Sequence, residues 1–182
     1  MRGRIRFEGL LACALLVAAC TGEIVTPAAG VHVRESPTES DITEGETTLD
    51  CAPETAYAAV ANYLLWPQIF TNIATAQVTK HQGEDARVTF VKPDGNRDNL
   101  HFHNRPATRT VWFEDTGGSA EVWAEITFVP GDDPGTARVQ TRLFADLHGF
   151  SSLFVADSKV REMRQQRVSD VLRDLRTYFA RR

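Results

Sequence analysis

The chain has 182 residues, with 24 acidic side chains against 20 basic ones and a net charge of −4. That length suits one domain plus a tail, large enough to bury a core without disulfide or metal staples. An acidic balance with no basic run argues against a nucleic acid partner.

The first twenty residues have a layout of their own. Arg2, Arg4 and Arg6 precede the apolar run Leu10–Leu16, and Val17-Ala18-Ala19-Cys20 closes it. A positive head, a short apolar stretch and small residues at its end read as a secretory signal. The run is well short of the ~20 residues that a membrane-spanning helix needs. The cysteine directly after Ala18-Ala19 resembles the lipobox of bacterial lipoproteins. The resemblance implies cleavage before Cys20 and lipidation of its thiol. Simple secretion is the competing reading, but its one close cleavage match, Ala12-Cys13-Ala14, would cut the apolar run in half. Thr21 follows Cys20 where an inner-membrane lipoprotein often has Asp. The resemblance therefore points to the outer membrane, facing the periplasm, or to the cell membrane of a cell with only one. Residues 1–19 carry three arginines and Glu8, so the chain without them is near −6.

Cys13 is expected to leave with the signal and Cys20 to carry lipid. Only Cys51 remains, so no intrachain disulfide is expected. Its alternation with Leu49 on a strand face suggests a buried, inert thiol. Residues 20–43 read as lipidated cysteine and flexible tether, rich in Thr, Pro, Gly, Ser and Glu and without period.

A domain is expected over residues 44–182. Thr47, Leu49 and Cys51 alternate with Glu46, Thr48 and Asp50, a first strand. Pro53 and Glu54 suit a helix start, and Tyr57, Val60, Ala61 and Leu64 give it an apolar stripe. Pro67 ends it, and a second short helix is expected over 68–73. Turn signals then recur at about ten-residue spacing and cut out six strands, near 74–81, 86–92, 97–104, 107–115, 120–129 and 136–146, an antiparallel meander. A long helix closes the chain over about 155–180, with Val160, Met163, Val168, Val171, Leu172, Leu175, Tyr178 and Phe179 as its stripe.

The order strand, two short helices, six strands, long helix resembles the START-like (SRPBCC) superfamily. That superfamily includes polyketide cyclases, lipid-transfer START domains and coenzyme Q-binding proteins. The local match is Thr48-Leu49-Asp50-Cys51-Ala52-Pro53-Glu54-Thr55-Ala56-Tyr57 followed by Trp66-Pro67. The resemblance implies an α+β helix-grip fold, a curved seven-stranded antiparallel sheet wrapped around the last helix. It carries over no catalytic residue, because the superfamily shares no catalytic motif.

In such a fold a ligand would lie between sheet and last helix. Strand parity places Val88, Phe90, Val111, Phe113, Val122, Ala124, Ile126, Phe128, Val139, Thr141 and Leu143 on one face. The candidate lining is Phe90, Phe102, Phe113, Val122, Ile126, Phe128, Leu143 and Met163; the same pattern equally describes a filled core. A two-residue Gly117-Gly118 turn would set Trp112 opposite Trp123 on the outer face, with Arg142 beside Trp123. His101 and His103 share a strand face but lack further metal ligands in sequence. The Leu100/Phe102 side is taken as the inner one, with a three-residue loop pairing Phe90 with Leu100. There is no G-x-S-x-G, H-E-x-x-H or phosphate loop. No catalytic site, metal or cofactor is expected. The leading expectation is a membrane-anchored periplasmic binding protein for an apolar or amphipathic molecule, such as a lipid. The alternatives are a cyclase/aromatase-type enzyme and an interaction lipoprotein with a filled core that meets a protein partner.

Overall fold

The computed structural model describes residues 30–39, 41–116, 120–147 and 156–182. The signal, Cys20, residues 21–29 of the tether and the Gly117-Gly118 turn lie outside these. Eight strands form one antiparallel sheet: β1 Val31–Glu35, β2 Ile42–Leu49, β3 Thr75–Gln82, β4 Asp85–Val91, β5 Arg97–Arg105, β6 Thr110–Asp115, β7 Ala120–Pro130 and β8 Ala137–Leu147. Their order is β1-β2-β8-β7-β6-β5-β4-β3. Between β2 and β3 lie helix α1, Pro53–Ala61, a tight turn over Tyr63–Leu65, and the single-turn helix α2, Trp66–Ile69. Helix α3, Asp157–Phe179, closes the chain. This is the helix-grip order.

The sheet has eight strands, not the seven expected. The extra one, β1, comes from the stretch that composition assigned to the tether. Val31 and Val33 alternate with His32 and Arg34, and the strand pairs along its whole length with β2, from Val31 opposite Thr47 to Glu35 opposite Thr43. Only β2 supplies its hydrogen bonds, so a five-residue strand with three polar residues reads as loop until its partner is known. β2 itself begins at Ile42 and stops at Leu49. Cys51 therefore sits beyond the strand end, half-buried, and burial raises its thiol pKa, with Asp50 adding to the effect. That keeps it protonated and unreactive.

Inward and outward faces follow the strand alternation. One inner row runs across the sheet from Glu35 through Thr43, Leu143, Ala124, Phe113 and Phe102 to Ala86. Helix α3 packs on β1, β2 and β8, whereas α1 and α2 cover the strands beyond. The expected stripe of α1 is correct at Val60 and wrong at Leu64, which is 60% exposed. The helix ends at Ala61, and the tighter turn that follows shifts the phase, so Tyr63 and Trp66 point inward instead. Trp66 donates its indole N–H to the Val60 carbonyl, 2.8 Å, which lets a polar edge lie buried.

The closest contact between helix and sheet is at Gly45 in β2. A Cβ there would overlap Val168 Cγ1 and would lie 2.8 Å from Leu172 Cδ1 and 3.0 Å from Thr141 Oγ1. Next to it, Arg164 is buried against the sheet, its side chain 5% exposed. It donates to Glu35 (2.8 Å), Thr43 Oγ1 (3.2 Å) and the Ala145 carbonyl (3.2 Å). Gln165 also donates to Glu35, 3.1 Å. Lower on the helix, buried Asp174 accepts from the backbone N–H and the hydroxyl of Thr71, 2.9 Å each, which ties α3 to the end of α2.

On the outer face the expected Trp112–Trp123 pairing is not found. Trp112 lies opposite Glu125, and Trp123 lies opposite Glu114. The pairing frame is two residues away from the one a Gly117-Gly118 turn would set. Trp123 instead stacks on its neighbour Phe144, with centroids 5.6 Å apart, and the Arg142 guanidinium lies 5.9 Å from its ring. Arg142 also pairs with Glu39 of the β1–β2 connection.

Substituting Gly45 by Ala should cost about 1–3 kcal/mol, since the added methyl group must push α3 off β2. Urea unfolding of Gly45→Ala checks this. A variant as stable as the parent would mean that the helix is free to lift.

Candidate functional site

The inner face divides into a sealed part and a half-open part. The sealed part holds an aromatic cluster. Trp66 stacks on Phe90, centroids 4.8 Å apart, and meets Phe102 edge-on at 5.2 Å; Tyr63 lies 4.3 Å from Phe102, and Phe102 5.1 Å from Phe113. Phe90, Phe102, Ile126 and Phe128 are buried, Phe102 and Phe128 with 0% exposure. With Leu143, also buried, five of the eight candidate lining residues are core.

The other candidates lie toward a different end. Inward-facing Phe113 and Val122 are only partly buried, though both pack on the core, and Leu100 shares that state. Met163 on α3 is half-buried. Val122 faces Ala145 on β8, and Leu100 faces Val88 on β4 and Asp115 on β6. So the half-open residues occupy the end where β5 and β7 begin, β6 and β8 end, and α3 starts. The opposite end is closed by Leu49, Val111, Phe128, Ala137 and Val139. Charges rim the half-open end: Lys92, its side chain 12% exposed, pairs with inward-facing Asp98 at 2.9 Å. An apolar inner wall with an ionic rim suits an amphipathic molecule lying tail-inward.

Sequence reasoning did not identify Tyr63 or Asn104. The Tyr63 ring is buried in the aromatic cluster, and its hydroxyl finds no hydrogen bond of good geometry; Asn104 Oδ1, also buried, finds none either. Burial pushes the Tyr63 phenol up to about 12, with Tyr57 and Asp85 adding to the rise and the Asn104 side chain acting against it. A phenol in that state is a hydrogen-bond donor at neutral pH and holds its proton. No pattern in sequence marks such a pair, because each residue is separately ordinary.

His101 and His103 point outward, as the choice of Leu100 and Phe102 for the inner side requires. The register differs by two from the one expected: Val88 pairs with Leu100 and Ala86 with Phe102, because Lys92–Asn96 form a five-residue loop closed by the Lys92 N–H on the Asn96 carbonyl, 2.8 Å. Outside, the histidines join a charged ladder. His101 Nδ1 lies 3.2 Å from Glu114, and His103 Nδ1 lies 3.1 Å from Asp85. His103, then His101, hold the Asp85 carboxyl below its usual range. Among the described residues, no group of three or more His, Cys, Asp or Glu is placed to hold a metal ion. No described helix is long and apolar enough to cross a membrane.

A curved antiparallel sheet folded by its apolar face against one long terminal helix defines the helix-grip fold. The chain belongs to the polyketide cyclase / dehydrase and lipid transport family, whose sequence model matches residues 41–180. Solved structures share the architecture. An aromatase/cyclase, Zhui, from Streptomyces sp. R1128 aligns at 16% identity over 83% of this chain and 96% of its own, with a TM-score of 0.63. A STAR-related lipid transfer protein from Xanthomonas axonopodis aligns at 14% identity over 86% and 97%, with a TM-score of 0.61. A START superfamily protein from Mycobacterium smegmatis aligns at 13% over 77% and 97%, with a TM-score of 0.63. At these identities the likeness is one of fold. No curated protein matches at the sequence level.

The Tyr63 phenol gives a pH prediction. A folded pKa raised from 10.0 to about 12 means that the folded state keeps a proton the unfolded chain loses. The associated stability is present at neutral pH and fades as pH climbs through that window. Alkaline absorbance titration should show one late tyrosinate step, absent from Tyr63→Phe. A parent protein whose tyrosines all titrate near pH 10 would place that hydroxyl in water.

Proposed function

We propose that this protein is a lipid-anchored envelope protein that holds a hydrophobic or amphipathic small molecule between its sheet and α3. The observation that carries the reading is the split inner face. Phe113, Val122 and Leu100 point inward yet stay partly exposed, whereas Phe102, directly opposite Phe113, and Val111 and Phe128, nearer the other end, are sealed. A filled core would close all of them. The family's printed description covers both lipid transport and cyclase chemistry. The lipobox-like Val17-Ala18-Ala19-Cys20 favours the first, because it puts the domain beside a membrane, where apolar molecules are at hand. In this reading Cys20 carries the lipid, and the protein sits in the outer membrane facing the periplasm, or on the cell membrane where there is only one. Two or more acyl chains on Cys20 would anchor it stably, whereas one binds only marginally.

Two measurements test the two halves. An environment-sensitive apolar fluorophore such as N-phenyl-1-naphthylamine should bind the purified domain. Val122→Trp, which fills the half-open end, should weaken that binding about tenfold, a loss of ~1.4 kcal/mol, with the unfolding midpoint nearly unchanged. No binding by the parent protein would leave a filled scaffold as the better account. For the anchor, the full chain expressed in a bacterium should partition into detergent in a Triton X-114 extraction, and Cys20→Ala should not. Equal partitioning would remove Cys20 from the argument.

A further inference from the structure

We infer that the molecule held between sheet and α3 carries an acid head, a carboxylate or a phosphate, and that Arg167 binds it. This rests on the binding reading above and deepens it, naming the chemical class of the ligand and the residue that selects it. The lipid anchor plays no part in it.

The 3.6-residue repeat of a helix puts Val160, Met163, Arg167, Val171, Asp174 and Tyr178 on one flank of α3. Two contacts show where that flank faces. Asp174 accepts from Thr71, just past α2, and Val171 packs on the core. From Thr71 the chain crosses to the sheet, where the Ala74 N–H donates to the Val91 carbonyl at 2.8 Å and Lys92 follows. The flank thus looks toward α2 and β4. The other side of the helix meets β1, through Gln165 and Glu35. Near the closed end Asp174 and Tyr178 are buried. Toward the start of α3 the flank changes character: Val160 and Met163 are half-buried and Arg167 is exposed. The level is set by Arg164, which donates to the carbonyl of Ala145, the residue opposite Val122. Arg167 is three residues further on, about 4.5 Å along the axis. Helical Cα–Cβ bonds lean toward the N-terminus, so its side chain starts back toward the level of Val122.

Charge decides what lies there. Among the described residues Arg167 has no hydrogen-bond or ion-pair partner. The one acid within a helical turn of it, Asp170, is taken: it accepts from Gln166 at 2.9 Å and pairs with Arg173 at 2.7 Å. Across the gap, the sheet side of the half-open end holds Lys92, Asp98 and Asp115. Lys92 and Asp98 neutralise each other at 2.9 Å, and Asp115, opposite Leu100, is engaged as well. An acid head is therefore disfavoured against the sheet, where the two aspartates stand. It is favoured on the helix side, where a guanidinium offers five donors and no carboxylate meets it. The tail has its own surface, the half-buried wall of Leu100, Phe113 and Val122, with Met163 one turn from Arg167. A fatty acid or a lysophospholipid with a terminal phosphate meets both demands. An ester of the same chain length gives the wall the same contact and leaves the guanidinium without an ionic partner.

Displacement of N-phenyl-1-naphthylamine from the purified protein tests this with three ligands of one chain length, each below its micellar concentration: palmitic acid, methyl palmitate and palmitoyl lysophosphatidic acid. At least one of the two acids should compete about tenfold more tightly than the ester, the worth of one charge-assisted contact. Whichever acid competes better identifies the source of the head, a free carboxylate or a phospholipid. Arg167→Gln, at an exposed site, should bring the acids down to the level of the ester. Equal competition by acids and ester on the parent protein would overturn the ligand class and leave the binding reading standing. An acid preference that survives Arg167→Gln and disappears in Lys92→Gln would move the head to the sheet side and overturn the role of Arg167. So would an Arg167→Gln variant that loses acid and ester alike. A parent protein that binds neither the probe nor any of the three would overturn the binding reading, and this inference with it.

Discussion

The bare backbone at Gly45 sets the geometry of the whole domain. Only there can α3 come so near β2 that Val168 and Leu172 occupy the space a side chain would need. Once the helix is seated, the buried arc of α3 must contact β1, β2 and β8, and the other strands have to reach the remaining apolar surface through α1 and α2. Arg164 then fixes the helix against that edge with bonds to Glu35, Thr43 and Ala145. A buried guanidinium bonded to the Glu35 carboxylate and two neutral oxygens, with the Asp41 carboxylate 3.5 Å away, is worth more in placing the helix than in net stability. The asymmetry matters for function. Holding α3 tightly on the β1–β2–β8 side leaves looser packing on the side of Leu100, Phe113 and Val122.

Much of this was legible in the chain. The turn residues cut the meander nearly where the structure does, and alternation puts Val111 and Phe113 of β6, Val122 to Phe128 of β7 and Val139 to Leu143 of β8 on the correct face. Those signals are local, and a face buried along its whole length has no other way to be written. The failures were long-range. β1 depends on one partner strand and has a short, half-polar sequence. The Trp112 and Trp123 frame depends on how many residues the connecting turn consumes, and a step of two preserves the faces while changing every neighbour. Arg164, Ser169 and Asp174 are buried on a helix whose polar residues otherwise look solvated. Arg164 and Asp174 find their partners in Glu35 and Thr71, far away in sequence.

The candidate site shows the same division. Strand parity, hydrophobicity and the helix stripe point to the eight candidate lining residues, and none of these separates a sealed Phe102 from a half-buried Phe113 one strand away. That difference comes from what lies above each residue. Tyr63 and Trp66 cap Phe102 because the turn after Ala61 rotates them inward. The fold is shared at 13–16% identity with proteins named for lipid transfer and for aromatase/cyclase activity.

The eighth strand also has a mechanical meaning. A pull applied to the chain ahead of Val31, directed away from Glu35, would load β1 along its own axis. All of its bonds to β2 would then share the force at once, instead of opening one by one from a frayed end. At the far end of the same strand, Glu35 is bolted to Arg164 and Gln165 on α3. An edge strand that adds little to the core is thus placed where it can carry tension from its N-terminal end into the helix, and so into the body of the domain.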